Sequence, residues 1–202
     1  PEKAAFPEGR GKAAEHLALR SQHPQWLVKR WVKAFGFEET QSLCDFNNGQ
    51  ALLSVRANTL RADRDTLLAA LKEAGTEAEP SKWTPEGVII TAHGSLDRLQ
   101  PLQDGLCQVQ DESSMLVAHV VDPQPGEFVI DCCSAPGGKT THLAALMQDK
   151  GRILAGDIYE HKIDRIQENV DRLGISIIET QLLDAREVGQ SYPAQADRVL
   201  VD

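Results

Sequence analysis

Phe128-Val129-Ile130-Asp131-Cys132-Cys133-Ser134-Ala135-Pro136-Gly137-Gly138-Lys139-Thr140 reads as a buried strand that runs into a glycine turn and then into the first turn of a helix. Val129 and Ile130 supply a β-branched run, Pro136 fixes one backbone angle, and the paired glycines let the main chain approach a ligand with no Cβ in the way. A helix beginning near Lys139 offers unpaired N–H groups to carboxylate or hydroxyl oxygens. Nucleotide-like ligands bind in such a setting.

Three nucleotide-site templates compete for the stretch. A Walker A loop needs a glycine five residues before Gly138, where Cys133 stands, so Gly138-Lys139-Thr140 mimics only its end. A dinucleotide Gly-x-Gly-x-x-Gly fingerprint is ruled out because the glycines are adjacent. What remains is a methyltransferase-type loop, which cups the methionine part of S-adenosylmethionine. An acidic residue should then close the next strand about 20 residues on and take the ribose hydroxyls. Asp157 ends the run Arg152-Ile153-Leu154-Ala155-Gly156-Asp157, 19 residues after Gly138. Two more strand-like runs, Ile175 to Leu183 and Arg198 to Val201, end at Asp184 and Asp202. Carboxylates therefore stand at the carboxyl ends of four successive strands, the edge where open α/β sheets bind ligands. Strand-end aspartates also cap turns, but four in succession are hard to assign to capping alone.

Helices fit between these strands. Ile163, Ile166, Val170 and Leu173 form one apolar stripe that Gly174 ends, and Leu143, Leu146 and Met147 give the preceding helix its buried face. Residues 94 to 105, with Pro101, mark a boundary. Before it, Trp26, Leu27, Trp31 and Phe35 recur at helical spacing after His23-Pro24, Ala51 to Arg56 is a strand, Arg61 to Ala74 a helix, and Val88 to Thr91 a strand. Trp26 and Trp31 have the chemistry to stack on bases, but on a helix of this pattern a core role is expected.

The net charge of −9 lies wholly in residues 101–202, with 8 basic and 17 acidic side chains against 13 and 13 before them. That surface opposes a polyanion. Within the first 72 residues basic groups lead 11 to 8, and Arg20, Lys29, Arg30, Lys33, Arg56, Arg61 and Arg64 are candidate RNA phosphate contacts, a solvated helix face being the alternative for each. Cys44, Cys107, Cys132 and Cys133 form neither a disulfide framework nor a zinc pattern; they are expected to be buried small hydrophobes in a reducing, cytoplasmic setting. No apolar run approaches the roughly 18 residues of a membrane span, and the amino terminus lacks a signal-peptide core.

Asp131-Cys132-Cys133-Ser134-Ala135-Pro136-Gly137-Gly138-Lys139-Thr140-Thr141 resembles the cofactor loop of the RNA 5-methylcytosine methyltransferases of the NOL1/NOP2/Sun family. Gln110-Asp111-Glu112-Ser113-Ser114 is similar to that family's opening helix, Asn169-x-x-Arg172-Leu173-Gly174 to its asparagine and Arg-Leu-Gly signature, and His23-Pro24-x-Trp26-Leu27-Val28-x-Arg30-Trp31 to the amino-terminal helix of the bacterial ribosomal RNA members of RsmB/Sun type.

The resemblance implies an α/β fold: a partial Rossmann-like S-adenosylmethionine-dependent methyltransferase sheet over 105–202, preceded by a small α+β ferredoxin-like, RNA-positioning domain over 21–100 and a flexible or helical leader over 1–20. It implies S-adenosyl-L-methionine as cofactor, with Cys133, Ser134, Ala135, Pro136, Gly137, Gly138 and Lys139 lining the methionine and adenosine, Asp157 on the ribose, Asp184 by the adenine and Asp202 near the methyl donor. It implies RNA, ribosomal by type, as partner, with no metal, no membrane and a monomeric state. The activity would be methylation of cytosine carbon 5 by a thiolate that adds to carbon 6. The Pro-Cys expected after Asp202 and the later Thr-Cys that carries the nucleophile fall outside these residues, so a non-catalytic binding module is the alternative. A phosphate-binding NTPase is a weaker one. The 202-residue chain alone is accordingly expected to transfer no methyl group from tritiated S-adenosylmethionine to unmodified ribosomal RNA, because without the thiolate carbon 5 is too weak a nucleophile. Cytosine labelling lost on Cys133→Ser would contradict this.

Overall fold

The computed structural model describes residues 12–49, 52–92 and 99–202. The expected boundary over 94 to 105 therefore lies partly outside the described residues. The chain divides into two compact units, Pro1–Ala51 and Leu52–Asp202.

The first unit is helical: α1 (Ala13–Ser21), α2 (Gln25–Phe35) and α3 (Phe37–Asn47). Leu17, Ala18, Val28 and Cys44 form its small core, with Trp31 and Val32 packed against it. Gly36 ends α2 and starts α3 at φ +86°, a backbone angle that favours glycine, and its carbonyl accepts from Thr40 Oγ1 at 2.6 Å. Trp31 is half-buried, edge-on to His23, whereas Trp26 is 66% exposed. The core role expected for Trp26 is therefore corrected: the apolar stripe of α2 is wider than the side it buries.

The second unit begins with β1 (Leu53–Ala57), α4 (Arg64–Glu73), β2 (Glu77–Pro80), β3 (Gly87–Ala92), α5 (Gln100–Gln103) and β4 (Cys107–Val109). This β-α-β-β-α-β succession makes a sheet of order β2-β3-β1-β4, and every pairing is antiparallel. It is a ferredoxin-like fold, as the resemblance implies. Val55, Ala57, Leu67, Leu71, Val88 and Ile90 form its core. Helix α4 starts three residues later than its pattern suggests, because the Asp63 carboxylate accepts the Thr66 N–H at 2.8 Å and so caps the helix there.

The chain continues through α6 (Glu112–Val121), β5 (Phe128–Asp131), α7 (Gly138–Leu146), β6 (Arg152–Asp157), α8 (Glu160–Leu173), β7 (Ile178–Leu182), α9 (Val188–Ser191) and β8 (Arg198–Leu200). These strands form a parallel sheet of order β7-β6-β5-β8, a Rossmann-like arrangement. Val129, Ile153 and Ala155 pack with Leu143 and Met147 of α7 and with Ile166, Val170 and Leu173 of α8, so the helical stripe read from sequence is the buried face. The direction of strand succession reverses between β5 and β8, and that switch point opens a crevice at the carboxyl ends of the strands.

Polar side chains fasten the two sheets of this unit together. Buried Asn58, just after β1, donates at 2.9 Å to the carbonyls of both Gly105 and Leu173, and Arg172 donates to the carbonyls of Leu102 (2.8 Å) and Cys107 (3.0 Å). The Arg-Leu-Gly segment therefore closes α8 and anchors the antiparallel sheet. Asn58→Ala leaves two buried carbonyls short of a donor and is expected to destabilise the unit by about 2 to 4 kcal/mol. Urea unfolding followed by circular dichroism measures this, and a loss under about 0.5 kcal/mol would mean that water replaces the side chain.

Candidate functional site

Strand β5 ends at Asp131 and the chain then turns over the sheet edge. The Cys132 N–H donates to the Leu200 carbonyl of β8 (2.9 Å), and the Ser134 N–H donates to the Gly156 carbonyl of β6 (2.8 Å), so the loop is tied to both neighbouring strands. The Ser134 hydroxyl lies 2.9 Å from the carbonyls of Asp131 and Gly156. The Ala135–Pro136 peptide is cis, and Gly137 at φ +98° caps α7. A Cβ on Gly137 would point at Ile166 Cγ2, 3.4 Å away, so glycine here serves the backbone angle; its ligand-facing neighbour is Gly138.

A cavity of about 280 Å³ opens at this edge. Asp131, Cys133, Ser134, Ala135, Pro136, Gly138 and Lys139 line one side; Gln108, Val109, Gln110, Asp111 and Ser114 line the other, and Asp202 closes one end. Of the residues expected to hold a cofactor, the fold brings Cys133 to Pro136, Gly138, Lys139 and Asp202 together. Gly137 lies behind them. Asp157 and Asp184 are not in the lining: buried Asp157 accepts the Tyr159 N–H (3.2 Å) and lies 3.4 Å from Lys162 Nζ. Asp184 caps a short 3-10 turn, and hydrogen bonds from Arg186 hold its carboxyl down at about 2.

The expectation that all four cysteines are buried fails at Cys133, which is exposed on the cavity wall because the chain has already left the sheet there. Cys44, Cys107 and Cys132 are buried, and burial pushes the Cys107 thiol up to about 12 and that of Cys132 upward. Asp131 is buried within the lining; desolvation raises its pKa against a hydrogen bond from Thr140 Oγ1 at 2.6 Å. Lys139 and Asp202 form an ion pair across the mouth.

Among the basic residues, Arg20, Lys29, Arg30, Lys33 and Arg61 are exposed and Arg64 is half-buried, with Lys29 paired to Glu15 (3.1 Å) and Arg61 donating to the Asp104 carbonyl (2.7 Å). Arg56 is corrected as a phosphate contact. It lies on β1, flanked by β3 and β4, is 1% exposed, and donates at 3.1 Å to the Gly138 carbonyl and to Thr141 Oγ1. Burial draws its pKa down to about 9, and nearby Glu86 opposes that fall.

Sequence reasoning missed this polar layer. Glu86, 5% exposed, receives His119 Nε2 at 3.0 Å, and His142 Nε2 lies 2.9 Å from the same carboxylate oxygen. Donor atoms of the three lie within 4.8 Å of one another, a spacing open to a metal ion. Yet the buried Arg56 guanidinium acts on both Glu86 and His142, and a divalent cation would meet that positive charge at short range. No regular spacing joins residues 56, 86, 119 and 142, so sequence carried no signal of the layer.

Residues 118–202 match the family described as 16S rRNA methyltransferase RsmB/F, and residues 23–97 match the RsmF/B-like ferredoxin-like domain. The chain belongs to the RsmB/F methyltransferase family. It is 40% identical over 187 residues to the probable ribosomal RNA small subunit methyltransferase B of Bacillus subtilis, an alignment covering 92% of this chain and 42% of that one. A crystal structure described as PH0851 shares 34% identity at a TM-score of 0.90 over 100% of this chain and 45% of its own, and a methyltransferase homolog from Pyrococcus horikoshii shares 28% at 0.84 over 94% and 62%. The chain thus spans under half the length of the B. subtilis relative. In RsmB/F terms, the matched ferredoxin-like region contains Glu86 and the methyltransferase region contains His119 and His142.

The Glu86 cluster makes the stability of the unit sensitive to acid. Burial holds His142 neutral, down to about 4 from 6.5, despite Glu86; burial opposes the Glu86 charge, but contacts from His142 and His119 outweigh it and keep its carboxyl near about 2. Both folded values lie below the unfolded ones, so the unfolded chain binds more protons and stability falls with pH, through about 6.5 to 4 for His142 and about 4.5 to 2 for Glu86. Urea midpoints between pH 7 and pH 5 should show a loss of about 1 to 2 kcal/mol that His142→Gln largely removes. An unchanged pH profile in that variant would contradict the assignment.

Proposed function

We propose that the chain is the cofactor-binding and RNA-positioning part of an S-adenosylmethionine-dependent methyltransferase that modifies carbon 5 of a cytosine in small-subunit ribosomal RNA. The observation that carries the reading is the cavity at the β5–β8 switch point, where the Cys133–Lys139 loop meets the amino-terminal turn of α7. The lining suits the cofactor's parts: the amino-terminal turn of α7 for a carboxylate and Asp131 for a cation, while Asp157, at the end of the next strand but outside the lining, is assigned to the ribose. Bound there, S-adenosylmethionine would supply the electrophilic methyl group; Lys139 and Asp202 stand at the cavity mouth, where an incoming base would arrive.

The RNA would be held by the helical unit as well. Trp26, Lys29, Arg30 and Lys33 are exposed at offsets of 3, 4 and 7, which places an aromatic ring and three cations along one face of α2. Arg30 and Lys33 leave phosphate contacts within reach, and Trp26 has the exposure that base stacking requires. The free thiols agree with a reducing cytosol, and among the described residues no helix is long and apolar enough to cross a membrane.

Asp157→Ala is expected to weaken S-adenosylmethionine binding roughly 10- to 100-fold, corresponding to about 1.5 to 3 kcal/mol for the loss of a charged acceptor to buried hydroxyls. Isothermal titration calorimetry on the chain reads this directly. Unchanged affinity would remove Asp157 from the site.

A further inference from the structure

Gln110 is the one residue of the cavity wall whose side chain is buried yet left without a partner among the described protein groups. It is 6% exposed, and both Nε2 and Oε1 lack any hydrogen bond. Its main chain is pinned on both sides: the Gln110 N–H donates to the Ser54 carbonyl (3.2 Å), and Ser54 Oγ donates to the Gln110 carbonyl (2.8 Å). The neighbouring Gln108 has its Oε1 taken by Arg172, so the free carboxamide is not a general property of this wall. Buried amides ordinarily satisfy both their donor and their acceptor, and one that meets neither need within the protein marks a place for a ligand.

The position of the carboxamide indicates which ligand group it meets. Gln110 Cδ lies 3.9 Å from where a Cβ on Gly138 would stand, which sets the amide over the first turn of α7 and beside the unpaired N–H groups of that turn. The same cavity holds the buried carboxylate of Asp131. One cavity therefore holds both donors and acceptors: helix N–H groups and Gln110 Nε2 to give, Gln110 Oε1 and Asp131 to receive. A zwitterionic α-amino acid, with a carboxylate and an ammonium on one carbon, presents the complementary pair.

We propose that the Gln110 carboxamide, supplied from the end of the antiparallel sheet, holds the α-amino-acid head of the cofactor, donating through Nε2 to its carboxylate and accepting through Oε1 from its ammonium. This rests on the reading of the cavity as the S-adenosylmethionine site and adds to it a residue outside the glycine loop. The cofactor site is then complete only when the antiparallel sheet is docked. Gln110 is a binding group in this role and moves no proton.

The test uses two ligands that differ at the head. S-adenosylhomocysteine carries the amino-acid group, and 5′-methylthioadenosine lacks it. Calorimetry on the 202-residue chain is expected to show that Gln110→Leu weakens S-adenosylhomocysteine at least tenfold while changing 5′-methylthioadenosine less than twofold. Gln110→Glu, which keeps the shape but loses the Nε2 donor and sets a negative charge against the ligand carboxylate, is expected to do the same, and it carries the test if the leucine variant does not fold. Equal losses for both ligands, or none for either, would overturn the proposal. A fall in RNA affinity with S-adenosylhomocysteine unchanged would assign Gln110 to the base instead. Should the unaltered chain bind neither ligand, the reading of the cavity itself fails, an outcome distinct from a head-group effect that is absent while both ligands bind.

Discussion

The Arg56 guanidinium, buried between the antiparallel sheet and the first turn of α7, is the constraint on which the rest of the second unit depends. A positive charge there stands against the positive end of the helix dipole and lacks water to screen it. Three features offset the cost: the Gly138 carbonyl and Thr141 hydroxyl accept from it, and Glu86 supplies the opposing charge. Because Glu86 also engages His119 on α6 and His142 on α7, one carboxylate brings together three elements of different origin. An apolar group of similar volume would carry no such cost, so the network acts chiefly to fix geometry: this docking of the sheets brings Arg56 onto the first turn of α7 and both histidines onto Glu86.

That geometry reaches the cavity through short connections. Arg56 holds the carbonyl of Gly138, whose other side lines the ligand space, and Gln110 follows the strand that pairs with Arg56's own. The glycine loop is held from the opposite direction by β6 and β8 through Ser134 and Cys132. The loop is thus fixed by backbone hydrogen bonds on the parallel-sheet side and by a buried cation on the other.

Much of the Rossmann-like half was legible in the sequence because its signals are local. Arg152 to Asp157 alternates with nothing and runs apolar to a carboxylate, as a strand buried on both faces does, and the Ile163–Leu173 stripe has a clear helical period. The glycine loop could be narrowed to one template by single positions such as Cys133. The antiparallel half was harder to read. β2 is Glu-Ala-Glu-Pro, an exposed edge strand with no apolar alternation, and β4 has only three residues. Arg56 looked like a surface cation because arginine usually is one; only the pairing of β1 between β3 and β4 puts it indoors. Gln110 stood in a recognisable segment, but its unpaired amide follows from long-range packing that no window of sequence contains.

Asn58 sets an order on how the chain can assemble as it is made. Its two acceptors are 47 and 115 residues further along, at Gly105 and Leu173. All four strands of the antiparallel sheet are synthesised by Val109, yet the asparagine beside β1 stays half-satisfied until the end of α8 emerges. At a synthesis rate of about 5 to 20 residues per second, the interval from strand completion to that second contact is on the order of ten seconds or less. Until then one of the two acceptors of Asn58 is missing, and it is the carboxyl end of α8 that supplies it.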